Sequence, residues 1–199
     1  MENNVYEAPQ ADLATQKEEE DASLNQEFYV VGITKFFVLF IATLGIYSIY
    51  WFYRNWKLYR RRNNEDIWPV ARGIFSIFFA HSLFNNVEAV IDNKKLEYSW
   101  SPNTIATFYV LLTIVNRIFD RLMEQERWFP YTEMVSFLLI PIIGFILSRA
   151  QKAINISQDD PLGATNAKFT LANYLWCIPG IVFWVVITVS IVVLLAVPN

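Results

Sequence analysis

Beyond an N-terminal stretch with few large apolar residues, the chain falls into five apolar runs separated by short polar connections. The first extends from about Phe28 to Tyr53, and Phe36–Tyr53 is uncharged over 18 residues. That is close to the ~20 residues a helix needs to cross a hydrocarbon layer of about 30 Å. The fifth, from about Leu171 to Val197, carries no charge at all. The fourth, from about Tyr131 to Leu147, is apolar from Met134 onward and is followed by Arg149 and Lys152. All three read as membrane helices. The second and third are weaker. Residues 67–84 are interrupted by Arg72 and His81. At 100° per residue, His81, Asn85, Glu88 and Asp92 form one polar stripe, with Leu83, Phe84, Val87, Val90 and Ile91 opposite. This pattern predicts a helix tilted into the membrane interface or packed with its stripe against protein. The third run, Thr104–Val115, opens after "SPNT", a helix-start signal, and ends at Asn116, Arg117 and Asp120.

The expected fold class is therefore all-α: an integral membrane bundle of about five helices over residues 28–199, four or five of them spanning. Residues 63–66, 93–103, 124–128 and 155–168 read as polar connections, the last marked by Pro161 and Gly163. Residues 1–27 hold eight acids against Lys17 alone and read as a disordered acidic tail. Composition agrees with a membrane location. Apolar residues make up 54% of the 199 and charged residues 18%, against roughly 25% charged in a soluble average. A single cysteine, Cys177, excludes an intramolecular disulfide.

One block of charge changes the picture. Tyr47, Tyr50, Trp51, Tyr53, Trp56 and Tyr59 are interleaved with, and followed by, Arg54, Lys57, Arg60, Arg61 and Arg62. Amphipathic rings collect at the headgroup level, and basic residues beside a span are attracted to anionic lipid. We read the stretch as a membrane exit: span, aromatic belt, basic anchor. Aromatic and basic residues can also bind single-stranded nucleic acid, but these rings adjoin an apolar run, so no nucleic-acid partner is expected. The expected partners are membrane lipid and another membrane protein; the oligomeric state is left open.

Catalytic patterns are missing from the sequence. One histidine allows no paired-histidine metal site, and no nucleophile elbow, Walker loop or dinucleotide fingerprint occurs. No enzyme, metal or cofactor is expected. The most suggestive constellation is His81, Asn85 and Glu88, a candidate intramembrane polar stripe that could handle protons or ions. We favour the plainer reading, the wet face of a half-buried helix. Pro141 with Gly144, and Pro179–Gly180, could break helices as at transporter sites; we read them as kinks or packing notches.

The stretch "KFFVLFIATLGIYSIYWFYRNWKL" resembles the TLGIY…YW first-span signature of small bacterial multi-pass membrane proteins of uncharacterised function. The start "NNVYEAPQADL" is similar to an Asn-Pro-Tyr-x-x-Pro-like tail, with Val5 in place of the usual proline. The resemblance implies a bacterial inner-membrane location and no particular activity. An accessory or scaffold protein is therefore expected, with a small transporter or channel subunit as the alternative.

Positive charge bears on topology. Six basic residues at 54–72 against two before them place that loop in the cytoplasm and the tail opposite. Five crossings would divide the basic residues nine to seven. Four crossings, with the second run kept on the cytoplasmic side, divide them eleven to five. The rule favours four.

Overall fold

A computed structural model describes residues 26–125 and 131–196. Among these the chain is all-helical, with seven α-helices, one 3-10 turn at Ala164–Asn166 and no strand. The helices are α1 (Ile33–Ala42), α2 (Tyr47–Asn63), α3 (Pro69–Ile74), α4 (Ser76–Asn93), α5 (Pro102–Glu124), α6 (Tyr131–Ser157) and α7 (Leu171–Ala196). Two are long and apolar enough to cross a membrane: α6 over Met134–Ser157 and α7 over Leu171–Ser190.

The first apolar run is not one helix. It breaks at residues 43–46, where Leu44 (φ 54°) and Gly45 (φ 83°) take left-handed backbone. The end of α1 closes as a Schellman motif, with Gly45 N–H donating to Phe40 O (2.8 Å) and Leu44 N–H to Ile41 O (3.0 Å). Thr43 Oγ1 donates to Leu39 O (2.7 Å) and accepts from Tyr47 N–H (3.0 Å), tying the two helices together. From there α2 runs back beside α1. Phe36 meets Tyr47 and Trp51, and Phe28 stacks on Tyr59.

An antiparallel hairpin results, and its two ends lie together: Asn63 Nδ2 donates to Glu27 Oε1 at 2.7 Å. Two expectations are corrected. The run does not pass from one end of the bundle to the other, because two left-handed residues reverse it. Nor does Glu27, the last acid of the tail, lie opposite the basic block; it sits beside it. The rest of the tail, residues 1–25, lies outside the described residues.

The expected aromatic belt is also corrected. Trp51 and Trp56 are fully buried and Tyr47 nearly so, whereas Tyr50 is exposed and Tyr53 and Tyr59 are half-buried. Helical periodicity decides this. Positions 47, 51, 52, 55, 56 and 58 share the face that meets α1 and α4, so their rings form core with Phe36 and Phe84.

The second run also folds back into a hairpin, α3 and α4 meeting at Phe75, which stands with Ser48 and Ile49 near the 43–46 turn, while Lys94 at the far end of α4 reaches Ser157. Gly73 lets α3 approach α2, since a Cβ there would stand 2.9 Å from Ile49 O. The faces of α4 are as expected: Leu83, Phe84, Val87 and Ile91 are buried, Val90 is half-buried, and Asn85 and Asp92 are exposed. At its C-terminus Lys94 Nζ donates to Ser157 O (2.7 Å) and pairs with Asp159 (2.6 Å). The neighbouring Gln158 accepts from Glu27 N–H at 2.8 Å. Asn63, Glu27, Lys94 and the end of α6 therefore share one end of the bundle, hereafter the polar end.

Helix α5 runs antiparallel to α4, with Thr107 beside His81 and Tyr109 bonded to Ser76 (2.7 Å), and continues past the tips of both hairpins. Helix α6 returns and ends at Ser157, so Asn155–Ser157 are helical where a loop was expected. Gly144 and Gly180 are packing notches. A Cβ on Gly144 would reach 2.8 Å from the Phe40 ring, and one on Gly180 would sit 1.4 Å from Ala42 O. Trp184 Nε1 donates to Ile41 O at 2.8 Å, fixing α7 to the end of α1. With ten residues, α1 is about 15 Å long, and Gly180 lies about 14 Å along α7 from Leu171. The 43–46 turn thus stands about half a hydrocarbon thickness from the polar end.

Candidate functional site

The polar end is built around an extended strap, residues 27–32, which belongs to no helix or strand and reaches the 3-10 turn by one backbone bond, Gly32 N–H to Asn166 O (3.3 Å). Buried peptide groups must be paired somewhere, and here side-chain amides do it. Asn155 accepts from Val31 N–H (3.2 Å) and donates to Val31 O (2.9 Å). Asn55 accepts from Tyr29 N–H (3.0 Å), Gln151 donates to Tyr29 O (3.0 Å), and Asn166 donates to Val30 O (2.9 Å). Gln151 also donates to Asn155 Oδ1 (2.7 Å) and accepts from Trp51 Nε1. Asn55, Gln151 and Asn155 are fully buried. Lys35, also buried, donates to Asn166 Oδ1 and Lys168 O, both at 2.6 Å. The strap is clamped to α2, α6 and the 3-10 turn at once. Asp160 fixes that turn, accepting from Ala164 N–H and Thr165 N–H at 2.9 Å each.

This clamp was missed in the sequence. Its one signal was polar residues at 151, 155 and 158, spacings of four and three that put amides on one helix face. Beyond a charged flank they look like the start of a solvated loop.

The basic block divides in two. Lys57, Arg60, Arg61 and Arg62 are exposed on the last turns of α2, where cations also complement the helix dipole. Arg54 is half-buried, its guanidinium 5.3 Å from the centroid of the Tyr29 ring. Arg72, from the next helix, is fixed between Trp56 (4.2 Å) and Phe79 (5.0 Å). Lys94, Lys95, Arg149, Lys152 and Lys168 belong to the same end, which is accordingly rich in positive charge.

The stripe on α4 is brought together only in part. His81 Nε2 pairs with Thr107 Oγ1 (3.1 Å), Glu88 accepts from Trp100 Nε1, and Asn85 is exposed. Its polar groups hold α4 against α5 and the segment before it. Asn116 and Asp120, at the end of the third run, accept from Ser136 Oγ across to α6. Among the described residues no group of three or more His, Cys, Asp and Glu could hold a metal ion.

The remaining surface is apolar. On α5, Phe108, Leu111 and Ile118 are exposed; on α6, Leu138, Ile142 and Phe145; on α7, most large side chains from Leu175 to Val193. Ile46, Ile74, Phe75 and Phe78 are exposed at or near the hairpin tips. The class these features define is an all-helical bundle with an apolar girdle and one basic end. Comparison with protein-family models, curated proteins and solved structures found no match, so geometry carries the functional argument.

Proposed function

We propose that the chain is a multi-pass protein of a bacterial inner membrane. It works without catalysis, as an accessory or scaffold protein that holds anionic lipid and a neighbouring membrane component at its basic end. The observation that supports this is the apolar girdle combined with charge gathered at one end. Soluble monomers seldom expose contiguous apolar patches beyond a few hundred Å², whereas here one covers three helices and two hairpin tips.

In this reading α5, α6 and α7 cross the membrane, while the α1–α2 and α3–α4 hairpins enter halfway and return. Three crossings then replace the four or five expected from run lengths. Among the described residues, basic residues 35, 54, 57, 60, 61, 62, 72, 94, 95, 149, 152 and 168 fall at the polar end, and 117 and 121 at the other. That is twelve against two, and it supports a cytoplasmic polar end. A turn at mid-membrane depth is tolerable only if its backbone is satisfied within the protein. The Schellman bonds, Thr43 Oγ1 and Trp184 Nε1 supply those partners. The alternative, a transporter or channel subunit, would draw on the α4 stripe; two of its three groups are engaged in pairing, which favours the scaffold reading.

The test is vesicle association of the purified full chain with R60Q, R61Q and R62Q combined. Weaker association with phosphatidylglycerol vesicles is expected, the difference shrinking as salt rises, because exposed charges are screened within about 10 Å at 0.1 M. Unchanged association at low salt would remove lipid binding from the function of the basic end.

A further inference from the structure

A cleft of about 590 Å³ opens between the α1–α2 hairpin, α3 and the first turns of α7. Its walls are mostly apolar, from Leu39, Ile46, Ile49, Val70, Ile74 and Trp176, but a line of tyrosines (29, 47, 50 and 53) runs along it. It extends from the level of the strap to the 43–46 turn, since Tyr29 and Thr43 both line it. The Tyr47 side chain is 8% exposed, and its hydroxyl is recessed beside that of Tyr29, which accepts from Asn166 Nδ2 (3.0 Å). Arg54 is not itself in the wall of the cleft but lies against the lining residue Tyr29, its guanidinium carbon 5.3 Å from the ring centroid; its Nε is unbonded, and among the described residues no carboxylate lies within ion-pair distance of it.

A cation without a counter-ion above an apolar cleft holding a recessed hydroxyl is complementary to an anion carrying a hydrocarbon chain. We propose that this cleft binds one anionic phospholipid, with its phosphate at Arg54 and its glycerol and acyl region along Tyr47 toward the hairpin turn. The proposal rests on the membrane reading above and differs from it in kind. The exposed arginines attract a lipid surface, whereas the cleft holds a single molecule. Arginine suits the site because its planar fork matches phosphate oxygens. Arg72 is not equivalent, being enclosed by two aromatic rings.

The experiment reconstitutes the full chain in nanodiscs of mixed phosphatidylglycerol and phosphatidylcholine, extracts it at 1 M salt and counts retained lipids by native mass spectrometry. One phosphatidylglycerol per chain is expected to survive salt that screens exposed charge within about 3 Å. R54Q should cut that retention about tenfold or more, the usual worth of a hydrogen bond to a charged group. Ala172→Trp, at an exposed position on the cleft wall, should do the same by filling the cleft while keeping Arg54. The triple R60Q/R61Q/R62Q variant should retain the lipid, so the two proposals fail separately. Retention unchanged in Ala172→Trp, or equal retention of phosphatidylcholine, overturns the proposal even if R54Q does not fold.

Discussion

Replacing Asn155 with alanine isolates the strap clamp. The side chain makes three bonds: it accepts from Val31 N–H and Gln151 Nε2 and donates to Val31 O. Gln151 keeps its bond to Tyr29 O after the change, but Val31 is fully buried and both its peptide groups lose their partner. An orphaned buried group costs about 1–3 kcal/mol, so two cost about 2–6 kcal/mol. Hydrogen bonds measured inside membranes are weaker, averaging about 0.6 kcal/mol, and three of them give about 2 kcal/mol. Both routes set a floor near 2 kcal/mol, a sizeable share of a typical stability of 5–15 kcal/mol. The assay is reversible denaturant unfolding in mixed micelles, with the exposed Asn85→Ala as control. We expect Asn155→Ala to lose at least about 2 kcal/mol and to become protease-sensitive at residues 26–32, with Asn85→Ala within about 0.5 kcal/mol of wild type. Equal stability of the two variants would mean that the strap is not held by its amides, and the clamp argument would fail.

Sidedness follows from the hairpins. In a Cys177→Ser background, single cysteines at positions 10, 64, 93 and 165 should label from one side of the membrane and one at position 125 from the other; opposite labelling at 64 and 165 would refute the half-crossing hairpins. Gly180→Ala should cost more than Gly144→Ala, about 1–3 kcal/mol by overpacking, because its Cβ meets the rigid Ala42 backbone rather than the Phe40 ring. Thermal unfolding of the two variants checks this, and an unperturbed Gly180→Ala would mean that α7 does not press on the end of α1.

Much of the fold was legible in local pattern. The apolar face of α4, the helix start before Pro102 and the uncharged α7 each depend on residues close in sequence. The TLGIY stretch read as part of one continuous span and not as a turn. Thr43 bonds both helices, Leu44 and Gly45 carry the left-handed backbone, and Tyr47 opens the returning helix. A leucine in left-handed conformation is uncommon, so nothing local announces the break. The amide clamp was hidden for a related reason. Gln151, Asn155 and Asn166 lie more than 120 residues along the chain from the strap groups they bind, and polar residues beside charged ones resemble a solvated loop until the strap lies on them.

By itself, the sequence determined the helical class, the apolar runs and the gathering of basic residues, because periodicity and composition are properties of neighbouring positions. Only the tertiary structure decided which runs turn back. Reversal depends on whether the carbonyls at a helix end find partners, and that of Ile41 accepts from Trp184, 143 residues away, while Gly180 leaves room for that of Ala42. The place of Glu27 beside the basic block was settled in the same way, since apolar length permits a crossing but cannot require one once two left-handed residues and a distant indole N–H have closed the turn.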